Sequence, residues 1–101
     1  MREQDFLNNV VDLAHLRGWK VHHSRPAWTG VGWRTALQGD PGCPDLLLVR
    51  KPRVILSELK SEKGKISDVQ TSWVEELKGC PGIELYLWRP DDWNEIVKML
   101  R

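Results

Sequence analysis

The stretch DLLLVRKPRVILSELK, Asp45 to Lys60, decides the fold. Asp45-Leu46-Leu47-Leu48-Val49 carries a continuous apolar run, which suits a strand covered on both faces. Lys51-Pro52-Arg53 is the turn, and Val54 to Lys60 forms the next strand. So short a connection predicts an antiparallel hairpin. Side chains alternate along a strand, so Val54, Leu56, Glu58 and Lys60 share one face, and an apolar face ends in an acid and a base.

Upstream of this hairpin, residues 3–17 read as an amphipathic helix, because Leu7, Val10 and Ala14 recur at helical spacing and Asn8, Asn9 and Asp12 fall mostly elsewhere. Gly18 stops it. Trp19 to His23 is a short strand, and residues 24–42 are a long loop punctuated by glycine and proline. Downstream, Lys63-Gly64-Lys65 leads into a helix from Ser67 to Lys78, with Val69, Trp73, Val74 and Leu77 on its buried side. Cys80-Pro81-Gly82 ends it. Ile83 to Trp88 is the fourth strand. Pro90-Asp91-Asp92 opens a last helix marked by Trp93, Ile96, Val97 and Leu100. A strand–helix–strand crossover makes its two strands parallel, so the order predicts an α/β fold with a mixed four-stranded sheet and helices on both faces.

At 101 residues the chain has room for one domain, residues 1–101, and one core. Its 41% hydrophobic and 29% charged residues are those of a soluble globular protein, without an apolar run long enough for a membrane span. The opening MREQDF lacks the apolar core of a signal peptide. Cys43 and Cys80 are then expected to be reduced thiols in a cytoplasmic setting, with Cys43 a small packed residue. A net charge of +1 is unevenly distributed. Arg50, Lys51, Arg53, Lys60, Lys63 and Lys65 face only Glu58 and Glu62 over residues 50–65, whereas residues 75–95 carry six acids against Lys78 and Arg89. The basic stretch suits a phosphate backbone, although two ordinary solvated faces would look the same.

In an antiparallel hairpin the start of one strand lies beside the end of the other, so Asp45 and Glu58 can converge. Two converging carboxylates repel, and a hard divalent cation is their natural partner. Asp45 and Glu58 would hold the ion with a backbone carbonyl near Leu59, and Lys60 would stabilise developing negative charge or orient a water. Glu-x-Lys alone is very common, and from the triplet by itself an ordinary ion pair at a strand exit is the stronger reading. Glu3 falls on the helix face of Leu7, Val10 and Ala14, where it would add a carboxylate or serve the first-turn dipole. Ser67-x-x-Gln70 fits a capping box, yet Gln70 shares the face of Trp73, Val74 and Leu77, where its amide would orient Lys60 or water. His22 and His23 alternate faces and suit satisfied strand histidines. In the long loop, Trp28 and Trp33 would stack on unpaired bases while Arg25 and Arg34 contact phosphates, or the tryptophans belong to the core or a dimer interface.

The pattern Gly42-Cys43-Pro44-Asp45, twelve residues, then Glu58-Leu59-Lys60 resembles the signature of the PD-(D/E)XK nuclease superfamily. Glu3-x-x-Phe6, Gly18-Trp19, Ser61-Glu62-Lys63-Gly64, Ser67-x-x-Gln70 and Trp88-Arg89-Pro90-Asp91-Asp92-Trp93 add a resemblance to the small VRR-NUC nucleases of viruses and bacteria. That resemblance implies a restriction-endonuclease-like αβββαβα core and a site of Glu3, Asp45, Glu58, Lys60 and Gln70 with magnesium or manganese and no small-molecule cofactor. It implies a DNA substrate, with Arg25, Arg34, Lys63 and Lys65 as candidate backbone contacts. It further implies a homodimer acting on branched DNA such as a Holliday junction, in a bacterium or a phage-infected cell. Rival expectations are a nuclease for flaps, nicks or RNA ends, and a non-catalytic DNA-binding subunit. The loop from Ser24 to Gly42 matches no motif of the family.

Overall fold

The computed structural model describes residues 1–23 and 38–101, and between them the strands 27–28 and 33–34. Helix α1 spans Glu3–Leu16, and strand β1 spans Lys20–His23. Two short strands, β2 (Ala27–Trp28) and β3 (Trp33–Arg34), pair antiparallel with each other where the sequence suggested only loop. Strand β4 is Leu46–Arg50 and β5 is Arg53–Leu59; helix α2 is Asp68–Lys78; strand β6 is Glu84–Trp88. A 3-10 turn at Pro90–Asp92 leads into α3, Trp93–Met99. No helix among the described residues is long and apolar enough to cross a membrane.

The main sheet has the order β1-β4-β5-β6. Strands β1, β4 and β5 are antiparallel neighbours, and β6 joins β5 in parallel after the α2 crossover, as expected. Register fixes the two faces. Leu46 pairs with Ser57, Leu48 with Ile55 and Leu59 with Trp88, and all six are buried. Phe6, Leu7, Val10 and Ala14 of α1, Trp19, and Ile96 and Leu100 at the C-terminal end complete this core. The apolar stripe of α1 therefore does what its 3.6-residue period requires, covering one sheet face.

The opposite face carries Leu47, Leu56 and Glu58, and α2 lies over it. This layer is thinner than the sequence suggested. No residue of α2 is fully buried; Trp73, Val74 and Leu77 are half-buried and Val69 is exposed. For the same reason β4 is not equally covered on its two faces: Leu46 and Leu48 are buried, Leu47 and Val49 half-buried.

At the β4–β5 turn, charged side chains close the core instead of facing water. Arg50 and Arg53 both stack on the Trp19 indole, their guanidinium carbons 4.6 and 4.9 Å from the ring centre. Trp19 Nε1 donates to Leu100 O at 3.0 Å, and Arg50 donates to the carbonyls of Arg17, Leu100 and Arg101. Arg53 grips both oxygens of Glu84 at 2.7 Å and donates to Met99 O at 2.8 Å, while Tyr86 donates to Glu84 Oε1 at 2.7 Å. These bonds hold the Glu84 carboxyl below its ordinary pKa, with the Arg53 hydrogen bonds as the main cause.

Glu84→Gln keeps the shape and removes the bidentate charge pair, so it is expected to lower the unfolding free energy at pH 7 by about 1–3 kcal/mol. A depressed carboxylate contributes stability above its unfolded pKa and loses it as pH falls through the folded one. The difference between wild type and variant in urea unfolding should therefore shrink below about pH 4.

Candidate active site

The site lies at the far end of the same strands, where β5 leaves the sheet. Glu58 belongs to the thin α2-side face, one residue from the core-facing Leu59, and is only 2% exposed. Asp45 precedes β4, half-buried, and its Oδ2 accepts a hydrogen bond from the Leu59 N–H at 3.2 Å. That bond carries the hairpin pairing one step past Leu46–Ser57 and brings the two carboxylates together, as the strand geometry predicted.

Glu58 Oε1 accepts from Gln70 Nε2 at 2.6 Å and lies 3.5 Å from Lys60 Nζ, whose side chain is itself 15% exposed. Glu58 Oε2 is buried and has no hydrogen-bond partner among the described residues. Burial first, then the repulsion of the neighbouring Asp45, push the Glu58 carboxyl up to about 7, and Lys60 offsets this only in part. A buried, unsatisfied carboxylate oxygen is costly. The cost is met either by a proton or by a cation.

Gln70 resolves the two readings of its position by serving both. Its Oε1 accepts from the Ser67 N–H at 2.9 Å while Ser67 Oγ accepts from the Gln70 N–H at 3.3 Å, a complete capping box at the start of α2. Because the amide oxygen is committed to Ser67, its NH2 is turned toward Glu58. The amide thus reaches Glu58 directly.

A contact not anticipated from the sequence fixes α2 in that position. Gly42 has φ +106°, and a Cβ placed there would come within 2.5 Å of the Val69 carbonyl oxygen and 3.0 Å of the Gln70 nitrogen. Trp73 Nε1 donates to Pro41 O at 3.0 Å just beside it. The Gly-Cys-Pro-Asp motif therefore does more than deliver Asp45, since its glycine lets the loop meet the first turn of α2. The signal was available in the glycine of the motif, whose left-handed backbone admits few other residues.

Other candidates fall elsewhere. Glu3 shares the helical stripe of Leu7 and lies exposed in the first turn of α1. Among the described residues no three His, Cys, Asp or Glu side chains gather at one point. Cys43 is exposed instead of packed, and it lies near the carboxylates: desolvation, then the charges of Glu58 and Asp45, raise its thiol pKa. Cys80 is likewise a free, exposed thiol. His22 is exposed and His23 half-buried, on opposite sheet faces. The basic stretch of residues 50–65 is divided, with Arg50, Lys51 and Arg53 at the hairpin turn and Lys60, Lys63 and Lys65 at the site end of β5. Lys63 and Lys65 are exposed. Arg25 and the side chains of Arg34, Trp28 and Trp33 lie outside the described residues.

Two carboxylates with a spare buried oxygen form a donor set that fits a hard divalent ion, which needs only one or two protein carboxylates beside water and phosphate oxygens, and a clamped amide and a partly buried lysine stand beside them. The family model described as the VRR-NUC domain matches residues 8–89. This chain belongs to the VRR-NUC family. The matched region contains Asp45, Glu58, Leu59, Lys60 and Gln70, and begins after Glu3. Comparison with curated proteins and with solved structures gave no match. Membership in the VRR-NUC family makes the chain a nuclease-type protein of DNA processing, and the mixed sheet flanked by three helices is consistent with a restriction-endonuclease-like core.

A carboxylate whose folded pKa is raised destabilises the fold increasingly as pH climbs from its unfolded value toward the folded one. In chelator, wild type should therefore lose roughly 3 kcal/mol more than Glu58→Gln between about pH 4.5 and 7, measured by urea unfolding. Gly42→Ala should destabilise by about 1–3 kcal/mol, through a forced left-handed conformation and a clash with α2. Thermal melts of the two proteins would check this.

Proposed function

We propose that this VRR-NUC protein is a divalent-cation-dependent endonuclease that hydrolyses phosphodiester bonds in DNA, acting as a homodimer on branched substrates such as a Holliday junction. The observation that carries the reading is the buried Glu58 carboxylate, with one oxygen unpartnered, beside Asp45 and Lys60. A structural ion pair has no use for a second acid that raises the pKa of the first. A cation-binding site does.

Asp45 and Glu58 would hold magnesium or manganese, with the Leu59 carbonyl as a further oxygen donor. Such an ion supplies polarisation of a phosphate oxygen and a bound water of lowered pKa. Lys60 places a positive charge where the phosphoryl group gains negative charge, and its low exposure strengthens that interaction relative to water. Gln70, fixed by its cap, keeps Glu58 Oε1 occupied and so leaves Oε2 as the oxygen that would be available to hold an ion. Glu3 would add a more distant carboxylate through water, so Glu3→Ala should cost less activity than Glu58→Ala. Lys63 and Lys65, with Arg25 and Arg34 of the long loop, would contact the backbone.

The preference for branched DNA and the dimer rest on the family resemblance. A two-fold dimer presents two sites to two strands, which a junction requires. The same site on a flap or nick is the nearest rival, and a panel of labelled substrates separates them.

With magnesium, wild type should nick a plasmid and cut a four-way junction, and Lys60→Ala should lower the rate by about 100-fold or more at similar junction affinity. Equal cleavage by the two proteins would sink the mechanism.

A further inference from the structure

The segment just beyond Lys60 is tied to the segment just beyond β6 by a compact set of hydrogen bonds. Lys60 N–H donates to Trp88 O at 3.0 Å. Arg89 Nη1 donates to three carbonyls of one turn, Ser61 O at 2.6 Å, Gly64 O at 2.7 Å and Glu62 O at 3.4 Å. Asp91 N–H donates to Glu62 Oε1 at 2.7 Å, and the Arg89 N–H is held by Asp92 Oδ2 at 2.9 Å. The turn also closes on itself through Gly64 N–H to Ser61 O at 3.2 Å.

Three features give this clamp a meaning beyond turn stability. The Arg89 guanidinium is held by carbonyl oxygens, with no carboxylate paired to it among the described residues, so its charge adds to that of the turn. Glu62, the one acid of the turn, has its carboxylate engaged by Asp91 N–H. Lys63 and Lys65 remain exposed, and the turn lies against the active-site lysine: a Cβ on Gly64 would stand 3.4 Å from Lys60 Cδ and 3.1 Å from Ser61 Oγ.

We infer that Arg89 is a positioning residue for substrate: it holds the 61–65 turn in the shape that presents Lys63 and Lys65 to the DNA phosphates flanking the scissile one. This deepens the nuclease reading and rests on it. Lysines on a loose loop lose chain entropy on docking, whereas those on a clamped turn have already lost it, so the clamp acts on affinity. The Lys60 backbone is anchored separately by Trp88, so the chemistry depends on the clamp far less.

The test uses the full chain and a four-way junction in calcium, where binding is read without cleavage, across 50–200 mM salt, followed by steady-state rates in magnesium. Arg89→Ala should lower the slope of log affinity against log salt by roughly 1–2, and raise Kd and KM about tenfold, as for the loss of one or two phosphate contacts. The fall in kcat/KM should come through KM, with Arg89→Lys recovering part of it. Lys63→Gln/Lys65→Gln should give the same change in slope, and adding Arg89→Ala to that pair should add little. An unchanged slope, a defect confined to kcat, full additivity of the three substitutions, or wild-type affinity indifferent to salt would each overturn the inference. Should Arg89→Ala fail to fold, Arg89→Lys decides: a reduced slope supports the inference and a wild-type slope overturns it. A wild type that binds with a steep slope yet never cuts counts against the nuclease reading alone.

Discussion

Glu58 is a carboxylate held almost entirely out of water, with one oxygen occupied and the other left without a partner among the described residues. The rest of the site is arranged around that tension. Asp45 raises its cost by repulsion, Lys60 relieves it only partly, and Gln70 takes up one of its two oxygens. A purely structural role here would be met as well by a glutamine, which would satisfy Gln70 without the charge. Retaining the acid makes sense when something positive arrives. On the proposed function, the stability given up at neutral pH without a metal would be the counterpart of affinity for a cation.

The geometry around Glu58 depends in turn on a short mechanical chain. Gly42 allows the loop before β4 to touch α2 at Val69 and Gln70, Pro41 accepts from Trp73 one helical turn on, and Ser67 fixes the Gln70 amide. The same loop ends in Asp45. A single segment therefore sets both the first carboxylate and the residue that orients the second. This explains how a helix with no fully buried residue keeps a hydrogen bond of 2.6 Å to the sheet: backbone contacts and a cap hold it in place of a deep apolar interface.

Most of this framework was legible because strand alternation and helical spacing leave few choices. The hairpin at Lys51-Pro52-Arg53, the stripe of Leu7, Val10 and Ala14, and the convergence of Asp45 with Glu58 all follow from periodicities of two and 3.6. What escaped reading depends on distance along the chain or on depth. Helical spacing gives Glu3 its angular position on α1 but not its depth, and its side chain is exposed. The apolar spacing of Val69, Trp73, Val74 and Leu77 shows which way α2 faces, not how much covers it. Cys43 looked like a packing residue because small apolar side chains usually are. The guanidinium bonds of Arg89 join residues more than twenty positions apart, and the β5–β6 pairing brings those segments together.

The charge pattern shows the same limit from another side. Residues 50–65 form a basic run in one dimension, but β5 separates its members to opposite ends of the sheet. Arg50 and Arg53 spend their donors on Glu84 and on carbonyls of the chain, and their planar faces on Trp19, so they act as fold-closing groups. Lys63 and Lys65 are left exposed at the site end beside Lys60, where Glu62 accepts from a backbone N–H and Arg89 contributes a further charge. A protein of net charge +1 can thus hold a polyanion, because the attraction is set by which charges are already paired and where the remainder are gathered. In the VRR-NUC chain Lys63 and Lys65 belong to that remainder, and they stand at the strand end that carries Asp45 and Glu58.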